Sequence, residues 1–247
     1  MPLNSIVLVV AHRCLVFNAL NLLNNVLERI TMIQEVAFIH VPKCAGSSLK
    51  VVFSGWFGKG LIPHYIHEIS GKMPTLLTPE YTNTIANKFG CCCLYGHFNA
   101  LRGVGVQDSI PHITRFFTIL REPFSQFVSQ YHYKFDRGRT ELDFEKYLAT
   151  NQPNYLNHFP RQVSFDNYRE IVDDFEYVGL FEDLKLSMQQ LADLLAKVLP
   201  VSGLEFRNVG SKSYSDYERF RAEFEQKNQL EVLTYAYAKQ KFYLKGA

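Results

Sequence analysis

The sequence predicts a three-layer α/β fold, a central and mainly parallel sheet flanked by helices. Three observations carry that prediction. Four short apolar runs, "EVAFIHV" (35–41), "CCCLYG" (91–96), "RFFTIL" (115–120) and "EYVGLF" (176–181), have the uninterrupted hydrophobicity of strands covered on both faces. Segments of helical periodicity lie between them, and strands alternating with helices imply right-handed crossovers and a layered sheet. Glycine and proline cluster at the junctions, as between Gly103 and Pro111. With 247 residues, 47% of them hydrophobic, the chain is long enough for one sizeable core and too apolar for disorder.

The elements follow in order. Residues 1–31 contain "SIVLVVAHRCLVFNALNLLNNVL", interrupted by His12, Arg13 and recurring asparagines. No run there reaches the roughly 20 apolar residues of a good spanning helix. We read it as an N-terminal extension forming a packed or interfacial helix, with a weak membrane anchor as the alternative, and place the functional domain at 32–247. The first strand, 35–41, passes through Pro42 and Lys43 into a helix "SLKVVFSGWF" capped by Ser47 or Ser48. A loop-rich stretch with Gly58, Gly60, Pro63, Gly71, Pro74 and Pro79 follows. Past the next two strands, "REPFSQFVSQYHYKF" opens a helix with Pro123 in its first turn, where the missing N–H costs nothing. Leu184, Met188, Leu191, Leu195 and Val198 form one face of a later helix. Ser215 with Glu218 reads as a capping box for a C-terminal helix from Asp216 to about Phe242.

Composition removes several function classes. A formal net charge of +2, from 26 basic and 24 acidic residues, provides no broad footprint for a nucleic acid backbone, so no nucleic acid partner is expected. The five cysteines, three of them consecutive at Cys91, Cys92 and Cys93, make neither a disulfide framework nor a paired zinc pattern. Reduced, buried thiols are the expectation, with no metal. The absence of any N-x-[ST] acceptor disfavours a glycosylated secretory protein. We expect a cytoplasmic protein, with a Golgi membrane location and a luminal catalytic domain as the alternative.

The chemistry concentrates at strand ends. In "FIHVPKCAGSSL" the backbone N–H groups of residues 44–48 open a helix, whose dipole adds about half a positive charge toward an anion. Lys43 adds a full charge, Ser47 and Ser48 add hydroxyls, and Gly46 permits close backbone approach. An ordinary strand–turn–helix with an exposed lysine fits those residues nearly as well. Arg121 lies at a second strand end, and Ser129 is eight residues on, two helical turns along. An arginine fork and a serine suit a phosphate dianion, although a helix-capping arginine paired with Glu122 or Asp136 is the plain reading of Arg121 alone. Two anion grips on different strands suggest a ligand with two separated phosphates. Because the lysine precedes the glycine, and no GxxxxGK[ST] occurs, an ATP loop is not the match.

These motifs carry a resemblance. "IHVPKCAGSSL" resembles the 5′-phosphosulfate loop of the PAPS-dependent sulfotransferases, in the branch that includes the heparan sulfate and chondroitin enzymes. "LREPFSQFVSQYHY" is similar to that family's 3′-phosphate element, and "YVGLFEDL" and the "LEFRNVG" to "YAKQKF" tail resemble its C-terminal pattern. Cys44 stands where threonine is more frequent, and "NVG" where Asn-x-Ser is expected, which bears on Asn208 and Ser211. The resemblance implies a P-loop-like fold, with 3′-phosphoadenosine 5′-phosphosulfate (PAPS) as co-substrate held by Lys43, Cys44, Ala45, Gly46, Ser47, Ser48, Arg121 and Ser129. It implies no metal, Lys43 as the neutralising catalytic cation, and a hydroxyl-bearing acceptor, with a glycan as the expected class.

The acceptor needs a base. In "YGHFNAL", His97 directly follows the third strand candidate, on the same sheet edge as Lys43 and Arg121 if the strands run parallel, and a histidine can take the hydroxyl proton. The resemblance also places a catalytic histidine or acidic residue in this region. Cys44 as a lowered-pKa thiolate is a lesser candidate. His64, His67, His132, His158, Arg161 and 134–139 can line an acceptor cleft or be plain loop residues, and Tyr95, Phe98 or Tyr131 can stack on a sugar or adenine. Variable loops at about 58–89 and 135–168 are expected to contact the acceptor. A non-catalytic nucleotide- or glycan-binding module is the alternative class, and an unusual P-loop kinase a third.

Overall fold

The computed structural model describes residues 34–65, 77–99, 101, 104–200 and 215–244. The N-terminal extension, His67, Asn208 and Ser211 lie outside these residues. Five strands form one sheet in the order β2-β3-β1-β4-β5, with β1 Gln34–Ile39, β2 Leu61–His64, β3 Cys91–Gly96, β4 Phe116–Leu120 and β5 Phe175–Leu180. Every pairing is parallel. The chain leaves β1 for β2 and β3 on one side, then passes to β4 and β5 on the other. That reversal leaves a crevice at the carboxyl end of β1, where open α/β sheets place their ligands.

The strands are apolar along their length because both faces are covered. Ala37, Phe38, Ile39, Leu94, Tyr95, Phe117, Ile119 and Leu180 are buried in the main core, as are Leu49, Val52 and Phe53 of helix α1, Gly46–Phe57. The three consecutive cysteines are buried too. Burial pushes the Cys92 thiol up to about 12 and Cys93 well above its ordinary value, so these are neutral packing residues.

A second, aromatic cluster joins Phe124, Phe127 and Tyr131 to Phe144, Tyr147 and Phe224. It locks helix α4, Pro123–Phe135, against helix α5, Phe144–Thr150, and helix α8, Arg221–Lys227. The start of α4, beside the crevice, is thereby fixed from a source independent of the sheet.

Several expectations need correction. The stretch after α1 is less loop-like than its glycines and prolines imply. β2 is an edge strand, where Pro63 costs no internal ladder bond, and residues 79–89 form helix α2, Pro79–Phe89, capped by the Thr78 hydroxyl accepting from Tyr81 N–H. Further along, Val106–Ser109 make the short α3 that precedes β4, and Tyr168–Asp173 make α6 before β5. Helix α7, Leu184–Leu194, buries Leu184, Met188 and Leu191 as its spacing requires, but Ala196 turns left-handed at φ 51° and Val198 points to solvent. The C-terminal helix is broken at Asn228, between α8 and α9, Gln229–Leu244. Ser215 and Glu218 form no capping box: the serine hydroxyl bonds Asp216 and the glutamate pairs with Arg221. Among the described residues no helix is long and apolar enough to cross a membrane.

Candidate active site

The parallel sheet brings the ends of β1, β3 and β4 to one edge, and with them Lys43, His97 and Arg121. The loop after β1 is conformationally unusual. Lys43 and Ala45 both adopt left-handed backbone, φ 69° and 61°, at a cost of about 1–2 kcal/mol each for residues with a Cβ. Left-handed residues alternating with ordinary ones turn successive N–H groups toward one concavity, an anion nest. Ala45 is the N-cap of α1 and supplies no side-chain cap. Of the first-turn N–H groups, that of Ser48 donates to the Ala45 carbonyl at 3.0 Å, while those of Gly46 and Ser47 have no helical carbonyl four residues back and are the ones a helix N-terminus can offer an anion.

The loop is pinned from β4 and α4. Arg121, buried, donates from Nη1 to the Lys43 carbonyl at 3.3 Å, and its guanidinium lies 4.4 Å from the centre of the Phe181 ring. Gln126 donates to the Pro42 carbonyl at 2.9 Å. Glu122 is engaged elsewhere, accepting from Phe124 N–H, Ser125 N–H and the Ser125 hydroxyl, and pairing with Arg221. The helix-cap reading therefore belongs to Glu122. Ser129 lies buried on α4, Ser48 is buried on α1, and Ser47 is exposed.

Lys43 Nζ rests 4.5 Å from the centre of the Tyr133 ring, which Arg137 approaches to 4.0 Å and Arg139 to 5.6 Å. Burial, together with Arg121 and Arg137 nearby, holds the Lys43 pKa below the ordinary lysine value, against the opposing pull of Cys44 and Asp136. A cluster of like charges of this kind is stabilised by an anion placed among them. Cys44 is fully buried and donates to the Pro42 carbonyl at 3.7 Å. Burial pushes its thiol up to about 12, so the thiolate reading is wrong and any ligand contact from Cys44 is through its backbone.

At the other half of the crevice, His97 Nδ1 lies 2.6 Å from the carbonyl oxygen of His40. A carbonyl only accepts, so Nδ1 carries a proton, and in the neutral ring Nε2 is then the acceptor. The ring is half-buried, stacked on His40 at 4.4 Å and met edge-on by Tyr65 at 4.8 Å. His158 sits 5.7 Å from it and bonds the Phe98 carbonyl through Nδ1 at 2.7 Å. The His97 backbone N–H donates to the His64 carbonyl at 3.0 Å. Gly96 makes that approach possible, because a Cβ there would lie 1.8 Å from the same oxygen.

The remaining candidates separate cleanly. His64 and His158 belong to the cluster around His97, whereas His132 packs on Tyr217 and Arg161 pairs with Glu170 and Asp174. Tyr95, Phe98 and Tyr131 are core residues, not stacking platforms. Gly46 has a further reason beyond the one expected: a Cβ there would strike the His40 ring at 1.8 Å. His40 and Tyr133 were missed. The signal for His40 was a lone imidazole ending an otherwise apolar strand six residues before a glycine. Among the described residues no three His, Cys, Asp or Glu side chains converge as metal ligands do.

No family model matches the chain, and no curated protein matches it in sequence. Solved structures do match in shape. A sulfotransferase from Alicyclobacillus acidocaldarius superposes with a TM-score of 0.50 at 15% identity, over 85% of this chain and 96% of that one. The mouse sulfotransferase SULT7A1, complexed with PAP, gives 0.54 at 13% identity over 88% and 90%. The fold is that of the sulfotransferases. Within it, the loop after β1, the start of α4 and the end of β3 carry Lys43, Arg121 and His97 at one sheet edge.

Proposed function

We propose that this protein transfers a sulfuryl group from PAPS to a hydroxyl of an acceptor, with a carbohydrate of the kind used by the heparan sulfate and chondroitin branch as the favoured class. The observation that carries the reading is the pairing, on one sheet edge, of a left-handed, lysine-bearing anion loop with an imidazole whose acceptor nitrogen is defined by its own hydrogen bond. The fold shared with a sulfotransferase complexed with PAP adds support.

The loop N–H groups and Lys43 take the 5′-phosphosulfate, while Arg121 and Ser129 take the 3′-phosphate that ATP lacks. The acceptor hydroxyl attacks sulfur as the bond from sulfur to the 5′-phosphate oxygen breaks, and its proton passes to His97 Nε2. Charge grows on the departing phosphate oxygen, where Lys43 neutralises it, and the bisphosphate leaves. Such transfers rest on positioning and electrostatics rather than covalent catalysis. General-base assistance of this type is worth about 10²–10⁴-fold. A non-catalytic nucleotide- or glycan-binding module has no use for a base held in one tautomer beside the loop.

The test is incubation with radiolabelled PAPS and a panel of hydroxyl acceptors that includes unsulfated and partly sulfated glycans. Label transferred to one acceptor class, and lost in His97→Ala while adenosine 3′,5′-bisphosphate still binds, supports the assignment. Bisphosphate binding with no transfer to any acceptor moves the protein to the binding-module class.

A further inference from the structure

We infer that His40 is a positioning residue that ties the donor loop to the base, holding His97 in the tautomer with its proton on Nδ1 and Nε2 presented as acceptor. The inference rests on the assignment of His97 as base. One residue makes every relevant contact. The His40 carbonyl accepts the His97 Nδ1 proton at 2.6 Å, and its ring stacks on the His97 ring at 4.4 Å with 27° between planes. The same ring fills the space beside Gly46, the first residue of α1, so closely that a methyl group there has no room. A single imidazole thus lies between the helix N-terminus that would receive the 5′-phosphate and the ring that would receive the proton.

The His40 ring is itself held. Its Nδ1 lies 3.1 Å from the Tyr65 hydroxyl, and it stacks on Tyr95 at 5.7 Å, whose hydroxyl donates to the Gly46 carbonyl at 2.9 Å. Among the described residues, the rings in contact with His97 include His40, the edge of Tyr65 and His158. Burial, reinforced by His97, His158 and Lys43, keeps His40 neutral well below the ordinary histidine range. His40 acts as a spacer of fixed shape between Gly46 and the His97 ring.

The experiment is nitrogen-15 NMR of the histidines in the full chain, without substrate, in wild type, His40→Phe and His40→Ala. The wild type is expected to show His97 with protonated Nδ1 and unprotonated Nε2. His40→Phe keeps the aromatic face against His97 and is expected to keep that signature. His40→Ala keeps the backbone carbonyl but removes the ring that holds it against His97, and is expected to loosen that hydrogen bond, giving a mixed tautomer and kcat with PAPS lowered at least about tenfold while the shift in Tm given by adenosine 3′,5′-bisphosphate is retained. If His40→Ala does not fold, His40→Leu, which fills the space without an aromatic face, takes its place. A wild-type His97 with its proton on Nε2, or an alanine or leucine variant with unchanged tautomer, overturns the inference. The expected NMR signature in a chain with no turnover of PAPS would leave the positioning role standing and remove the sulfotransferase reading instead.

Discussion

The two halves of the crevice are built on opposite electrostatic plans. At the ends of β1 and β4, Lys43, Arg121 and Arg137 are gathered closely enough to depress the lysine pKa. Around the ends of β2 and β3, and at His40 just past β1, burial disfavours charge. Burial lowers His40 well below the ordinary histidine value and His64 to about 4, and raises Tyr65 and Tyr95 above their ordinary range. The first half is a fixed positive potential for an anion that arrives charged. The second surrounds one half-buried imidazole, His97, with the rings of His40 and Tyr65. The two halves touch through His40, whose pKa is lowered chiefly by burial and also by Lys43 across the divide.

The largest effect that breaks this comparison is removal of the titrating group. His97→Ala should lower kcat by about 10²–10⁴-fold, with bisphosphate binding, a property of the other half, essentially unchanged; loss of both together would show that the halves are not separable. On the charged side, Arg121→Gln removes a buried cation and weakens the bond to the Lys43 carbonyl. Titration calorimetry should show bisphosphate affinity reduced by roughly 10–100-fold, the scale of one or two charge-assisted hydrogen bonds, with AMP affected far less.

Gly96→Ala tests the geometry joining β2 to His97. Its Cβ would meet the His64 carbonyl at 1.8 Å, forcing the edge strand away at a cost of about 2–3 kcal/mol. Thermal melts should fall by roughly 5–10 °C.

The neutral half also predicts a pH dependence of stability. Because the folded His64 titrates at about 4 and the unfolded residue near 6.5, the unfolded chain binds more protons between those values. Stability is then full above about pH 6.5 and falls as pH drops toward 4, by roughly 3 kcal/mol at most from this residue. His64→Phe should flatten that acid limb in denaturant melts. The smallest change is Tyr133→Leu, which removes the ring beneath Lys43 and should weaken bisphosphate binding by about 0.5–1 kcal/mol at most.

The fold was legible wherever a strand is buried on both faces, since continuous apolar runs announced β1, β3, β4 and β5. β2 was hidden because an edge strand of four residues containing Pro63 has the composition of a loop. Helix α2 was hidden because it buries only Thr82 and Ala86, leaving no apolar stripe to read. Among candidate site residues, His97 and Arg121 drew attention because each follows a strand directly, and Lys43 because it stands in the loop four residues past β1. His40 was not, since its carbonyl and ring act through contacts with residues 57 and 6 positions away. Tyr95, Phe98 and Tyr131 show the converse: aromatic identity gave no sign of whether a ring faces the crevice or the core. The left-handed turn at Lys43 and Ala45 carries no glycine and was unreadable from composition.

The most direct test of the central claim is the thermal shift of the wild-type chain with adenosine 3′,5′-bisphosphate, compared with AMP at equal concentration. An anion loop and a second grip on separate strands predict a markedly larger rise in Tm with the bisphosphate, since ligand bound only to the folded state stabilises by RT ln(1 + [L]/Kd). Equal shifts with the two nucleotides, or none with either, would contradict it.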